Sequence, residues 1–216
     1  TQAPLSFLGL DLASLRSEPF PEAAAQEIRA ALPDRTETIR VPADAVQLEA
    51  TLFGQTLSTE TALLILPDDA SSAAGLEDDG DEAVFLVPRM LLDLFNQAYA
   101  PSRGLPGLDE DALRAARCKL TIGNKSLAAR CGGLSDGLPM PAPAIRESAW
   151  KRLFPAAAAK TVLLKVTVKD RTDEAALLGV AARHHLQVKD PAADRAAVQK
   201  SLAPLANAMG LVFLLL

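Results

Sequence analysis

The chain has 216 residues, 22 Lys and Arg against 27 Asp and Glu for a net charge of −5, and is 49% apolar but only 4% aromatic. These figures exclude a disordered or collagen-like chain, and the longest apolar run, Leu211–Leu216, is far short of the roughly 20 residues of a membrane span. Two cysteines exclude a disulfide framework, and a chain of this length buries roughly 70% of its unfolded surface without needing staples.

In chain order, Glu18 to Leu32 reads as an amphipathic helix, with Ala24, Ile28 and Leu32 at helical spacing and Pro33 as its stop. Thr36–Val41 reads as a short strand. Val46, Leu48, Ala50 and Leu52 alternate with polar residues in a second one, and Gly54-Gln55 is placed to turn the chain back into a strand ending at Leu63–Leu66. Asp68 to Glu82 is an acidic loop whose spacing departs from a calcium-binding loop. A strand over Ala83–Val87 follows, then a helix opening at Pro88 with Met90, Leu91, Leu94, Phe95 and Ala98 as its apolar stripe. A Gly/Pro loop over 101–108 leads to a short helix at Asp109–Arg117, acidic at its start and basic at its end.

Residues 118–131 form a hairpin pattern. A turn at Asn124-Lys125 sets Leu120 opposite Ala129 and Cys118 opposite Cys131. A Gly123-Asn124 turn is the alternative, favoured by turn chemistry but setting Ile122 opposite Lys125. We take the first as the expected register. Leu134 to Ala144, with Pro139, Pro141 and Pro143, reads as an extended connector. Ile145–Phe154 reads as a short basic helix carrying the only Trp, Thr161–Lys169 as an alternating strand, and Thr172 to His184 as a helix capped by Thr172. A short strand at Leu186–Val188, a helix from Asp190 to Met209 and a buried strand over Leu211–Leu216 complete the chain.

The expected fold class is α+β: a 1–134 lobe of strand hairpins with packed helices, and a 145–216 lobe with a compact β-α-(β)-α-β order. The 135–144 connector joins them, and the length permits one domain or two.

Charge is unevenly distributed along the chain. Residues 1–113 hold 20 acids and 6 bases, residues 114–171 hold 3 acids and 12 bases, and the remainder is balanced. Either the two segments face each other within one fold, or they present opposite surfaces to a partner.

Gly133-Leu134-Ser135-Asp136-Gly137 matches G-x-S-x-G and resembles the nucleophile elbow of the α/β-hydrolases, which implies Ser135 as nucleophile, Asp170 or Asp173 as orienting acid and His184 or His185 as base. The prolines after it depart from the strand-to-helix context that the motif needs. The cysteines and histidines lack zinc-ligand spacing, so no metal or cofactor is expected. The basic stretch carries no aromatic between Tyr99 and Trp150, and the isoelectric point is about 5.1; both argue against nucleic acid. Arg146, Trp150, Lys151 and Arg152 form a candidate partner-binding helix. The expectation is a cytoplasmic, non-enzymatic binding or assembly protein with a protein partner or a second copy, and a serine hydrolase as the alternative. Thr1-Gln2-Ala3-Pro4 lacks the basic region of a secretory signal, and no membrane association is expected.

Overall fold

A computed structural model describes residues 20–33, 35–70, 76, 80–102, 104–138 and 141–188. The chain divides into two compact units, Thr1–Val168 and Lys169–Leu216. The expected helix over 190–209 and the strand over 211–216 lie outside the described residues.

The first unit is α+β, with helices on a mixed nine-stranded sheet. Its strands are β1 (Thr36–Pro42), β2 (Val46–Leu52), β3 (Gln55–Thr61), β4 (Leu64–Leu66), β5 (Ala83–Pro88), β6 (Arg117–Ile122), β7 (Lys125–Ser135), β8 (Ala144–Arg146) and β9 (Ala159–Val166). They lie in the order β3-β2-β6-β7-β5-β8-β4-β1-β9. The β5/β7 and β4/β8 pairs are parallel and all other neighbours antiparallel. Strands from both sides of the 135–144 stretch thus share one sheet. Residues 144–146, read from sequence as connector end and helix start, form β8, because Ala144 and Ile145 are buried against β4 and β5.

β5 is the centre of this arrangement. Its run Ala83-Val84-Phe85-Leu86 is apolar without alternation, the pattern of a strand covered on both faces. Ala83 and Phe85 join the core that Trp150, Leu153 and Phe154 cover. Val84 and Leu86 join a second core on the other face, with Ile39, Leu64, Leu66 and Ala144. A third, smaller cluster sits under a helical segment after β5: α2 (Arg89–Leu94), a π-helical turn (Phe95–Tyr99) and α3 (Ala100–Ser102). There Leu92, Phe95, Ala100 and Leu108 pack with Leu52 and Leu57. The other helices of this unit among the described residues are α1 (Glu22–Ala31), α4 (Glu110–Ala115) and α5 (Glu147–Leu153).

Two turns differ from the sequence expectation. β2 and β3 turn at Phe53-Gly54, with Leu52 opposite Gln55. Both turn residues take positive φ, 52° and 76°, as a type I′ hairpin turn requires. For phenylalanine that conformation is strained. β6 and β7 turn at Gly123-Asn124, so Ile122 faces Lys125 and Cys118 faces Ala129, not Cys131. Turn chemistry decided this register: Gly123 takes φ 58°, which a two-residue hairpin needs and glycine supplies at no steric cost. The unfavourable Ile122–Lys125 pairing is relieved because Lys125 reaches away, donating from Nζ to the Leu153 carbonyl and lying over the Phe154 ring.

In the second unit, α6 (Arg171–Arg183) is capped by Asp170, not by Thr172. The Asp170 carboxylate accepts from both Thr172 N and Asp173 N, two of the otherwise unpaired amides of a first helical turn. Leu186–Val188 is irregular chain and not the expected strand.

Candidate functional site

The G-x-S-x-G segment lies at the end of β7, and its first glycine, Gly133, and the Gly132 before it answer to packing. Opposite β5 the register shifts, with Cys131 beside Phe85 and Gly133 beside Leu86, so Gly132 is the extra residue of a bulge. A Cβ on Gly132 would come within 2.8 Å of a Val84 methyl. Gly133 takes φ 155°, and a Cβ there would come within 2.9 Å of the Arg114 guanidinium.

Ser135 continues the strand, and its Oγ accepts from Gly137 N at 3.2 Å. It lacks the positive φ of a nucleophile elbow, which among the described non-glycine residues only Phe53 and His185 adopt. The motif therefore follows a bulge and ends in a closing turn, where a nucleophile elbow requires a strained strand-to-helix corner. Around it runs a chain of ion pairs, Asp136 to Arg89 at 3.4 Å, Arg89 to Glu110 at 3.8 Å and Glu110 to Arg114 at 2.8 Å. Glu110 is held below the usual carboxylate range chiefly by the hydrogen bond from Arg114.

The other hydrolase candidates lie in the second unit. Asp170 is engaged in capping α6, and Asp173 accepts from Lys169 N at 3.0 Å. His184 is the C-cap residue of α6, and His185 follows it at φ 54°.

Both thiols are free. Burial pushes Cys118 up to about 11, with Cys131 and Glu82 adding to the shift. Cys131 is buried, raised above its ordinary value by that burial, and its thiol donates to the Gly133 carbonyl. Neither matches an activated thiolate, which needs a lowered pKa. Among the described residues, no three His, Cys, Asp or Glu side chains are grouped to hold a metal. No helix among them is long and apolar enough to cross a membrane.

The partner-binding candidates divide between core and surface. Trp150 is only 4% exposed and stacks on Phe154 with ring centroids 5.0 Å apart. It anchors α5, leaving Lys151 and Arg152 exposed together with Ser148, and Arg146 half-buried at its start. Asp68 holds the helix N-terminus, accepting from both Ser148 N and Ser148 Oγ. Glu147 in the first turn takes both Arg40 nitrogens, at 3.1 and 3.2 Å, and Lys151 at 2.7 Å.

The two charge segments meet in space. Lys119 pairs with Glu49, Arg130 with Glu82, Lys165 with Glu37 and Arg114 with Glu110, each joining the basic segment to the acidic one. Arg40–Glu147 and Arg89–Asp136 join them in the opposite sense. One exposed face nevertheless keeps a charge gradient. On the strip β3-β2-β6, the residues pointing away from the core are Thr56, Ser58 and Glu60, then Gln47, Glu49 and Thr51, then Arg117, Lys119 and Thr121. Its acids come from the acidic segment and its bases from the basic one. Sequence reasoning missed this face because it depends on β2 pairing with β6, some 70 residues later, which local periodicity does not report.

A separate cleft of about 450 Å³ is lined by Arg29, Arg35, Glu37, Asp69 and neighbours. Arg29 is already engaged by Glu22 and Thr38, and Glu37 by Lys165. No protein-family model matches this chain, and no curated protein matches it significantly.

Proposed function

We propose that this is a non-enzymatic binding and assembly protein, acting through a surface on which its acidic and basic segments lie side by side. The observation that carries the reading is the polar outer face of β3-β2-β6, graded from Glu60 and Glu49 to Lys119 and Arg117. Opposed charges on one rigid face suit partner choice and orientation more than raw affinity. The exposed Lys151 and Arg152 of α5, a helix fixed by the buried Trp150, form a second basic patch on the other side of the sheet. Two free thiols favour a reducing, cytoplasmic setting for this work.

Light scattering across 50 to 500 mM salt, on the order of a threefold change in Debye length, tests this. The expected outcome is a complex, with a partner or with itself, that weakens as salt rises and that Arg117→Glu with Lys119→Glu disrupts. A salt-insensitive monomer without a partner overturns it. Specific labelling of Ser135 by a fluorophosphonate would instead favour the hydrolase reading.

A further inference from the structure

The two edges of the nine-stranded sheet are built differently. β9 carries Lys160 and Lys165. Its pairing with β1 shifts register between Ile39 and Arg40, and Phe20 N donates to Thr161 O on its outer side at 2.8 Å. Lysines, bulges and covering segments are the devices that keep sheet edges from pairing. β3 (Gln55–Thr61) has none of these among the described residues: it holds no Lys and no Pro, and its seven residues pair with β2 without interruption.

The register fixes which backbone groups face outward. Beside a two-residue turn the flanking pair, here Leu52 and Gln55, exchanges both hydrogen bonds, and bonded pairs then recur at every second residue. Gln55, Leu57, Thr59 and Thr61 therefore bond to β2, while Thr56, Ser58 and Glu60 turn their N–H and C=O groups to the open side.

We infer that β3 pairs antiparallel with β3 of a second copy about a twofold axis through Leu57. This inference rests on the assembly reading above and names the partner. Thr56 of each copy then exchanges N–H···O=C bonds with Ser58 of the other, four bonds in all by antiparallel alternation. The two Leu57 side chains, each half-buried on the core side, meet as a non-hydrogen-bonded pair with Cα atoms about 4.5 Å apart. That joins the apolar clusters of the two copies, each built on Leu92, Phe95, Ala100 and Leu108 with Leu57 at its margin.

Charge permits the contact. Glu60 is the only charged residue of β3, and six strand residues separate it from its symmetry mate, about 20 Å at strand rise, beyond the ~8 Å screening length. Phe53, strained at φ 52° and 46% exposed at the hairpin tip, comes to lie beside the partner's Thr61. An exposed aromatic held in an unfavourable conformation is thereby covered. An isologous contact of this kind closes on itself and forms dimers, not fibres.

The test is sedimentation velocity of the full chain with amide hydrogen exchange at two concentrations. A concentration-dependent dimer is expected, with the Thr56 and Ser58 amides protected only where the dimer is populated. Ser58→Pro removes one outward N–H per copy and weakens the dimer by roughly 30-fold. Ser58→Lys, which leaves the β2 ladder intact, does so by adding an edge guard, and circular dichroism confirms that each variant is folded. If a dimer persists unchanged in both folded variants, this edge is not the interface, although the assembly reading stands. If the dimer is insensitive to salt but lost in the variants, the edge stands and the charge-graded face is not what drives association. Protection of both amides in the dilute monomer would show that the chain covers β3 itself and would overturn the inference, as would a monomer at every concentration.

Discussion

Glu147 sits where three charged groups meet at the start of α5. The hydrogen bond from Lys151, together with Arg40, holds its carboxyl below the usual carboxylate range against the opposing effect of burial. A lowered native value means that the carboxylate stabilises the fold at neutral pH and that this contribution fades as acid protonates it. Glu147→Gln is expected to lose about 1 kcal/mol in urea unfolding at pH 7. The gap between variant and wild type should close as pH falls below the ordinary carboxylate range; a gap independent of pH would assign the loss to packing alone. The two thiols give a second expectation at this scale. With Cys118 near 11, about one molecule in a thousand carries its thiolate at pH 8. Ellman's reagent should therefore react slowly with the native protein and promptly with both thiols in denaturant.

At the scale of elements, α5 depends on a cap from a distant loop. Asp68 accepts from Ser148 N and Oγ across 80 residues of sequence. Asp68→Ala should cost about 1 kcal/mol, lowering the thermal midpoint by several degrees, while Asp68→Asn, a comparable acceptor, should recover most of it. Elements of this kind were partly legible in the sequence. The alternation of Val46–Leu52, the acidic start of α4 and the stop at Pro33 each report a local cause, and each element formed near its expected place. Hairpin register was less legible because two local preferences competed at 122–125. Apolar pairing favoured one turn and glycine the other; glycine prevailed, and the cost of facing Ile122 with Lys125 is relieved by the contact of Lys125 with Leu153 and Phe154, which no local pattern encodes. β8 was missed for a related reason: three residues gain their strand character from β4 and β5, not from themselves.

At the scale of the whole molecule, the uneven charge along the chain becomes a set of bridges between segments. Lys119–Glu49 is a cross-strand pair on the exposed face. Lys119→Glu should cost about 0.5 kcal/mol, and adding Glu49→Lys should restore it, as a double-mutant cycle in thermal unfolding would show. The candidate site had the same limits of legibility. The motif around Ser135 was visible as letters, but its Gly133 serves a close approach by Arg114 next to the bulge at Gly132, and the graded face exists only once β2 has found β6.

The pairing of β1 with β9 has a further consequence, for synthesis. Thr36 lies opposite Val166, so β1 leaves the ribosome 130 residues before its outer neighbour is made. At about 5–20 residues per second this is a wait of roughly 6–26 s. During that interval the nascent chain has to keep an unfinished sheet from pairing with another polypeptide. The lysines and bulge that β9 brings then close that side of the sheet when it arrives.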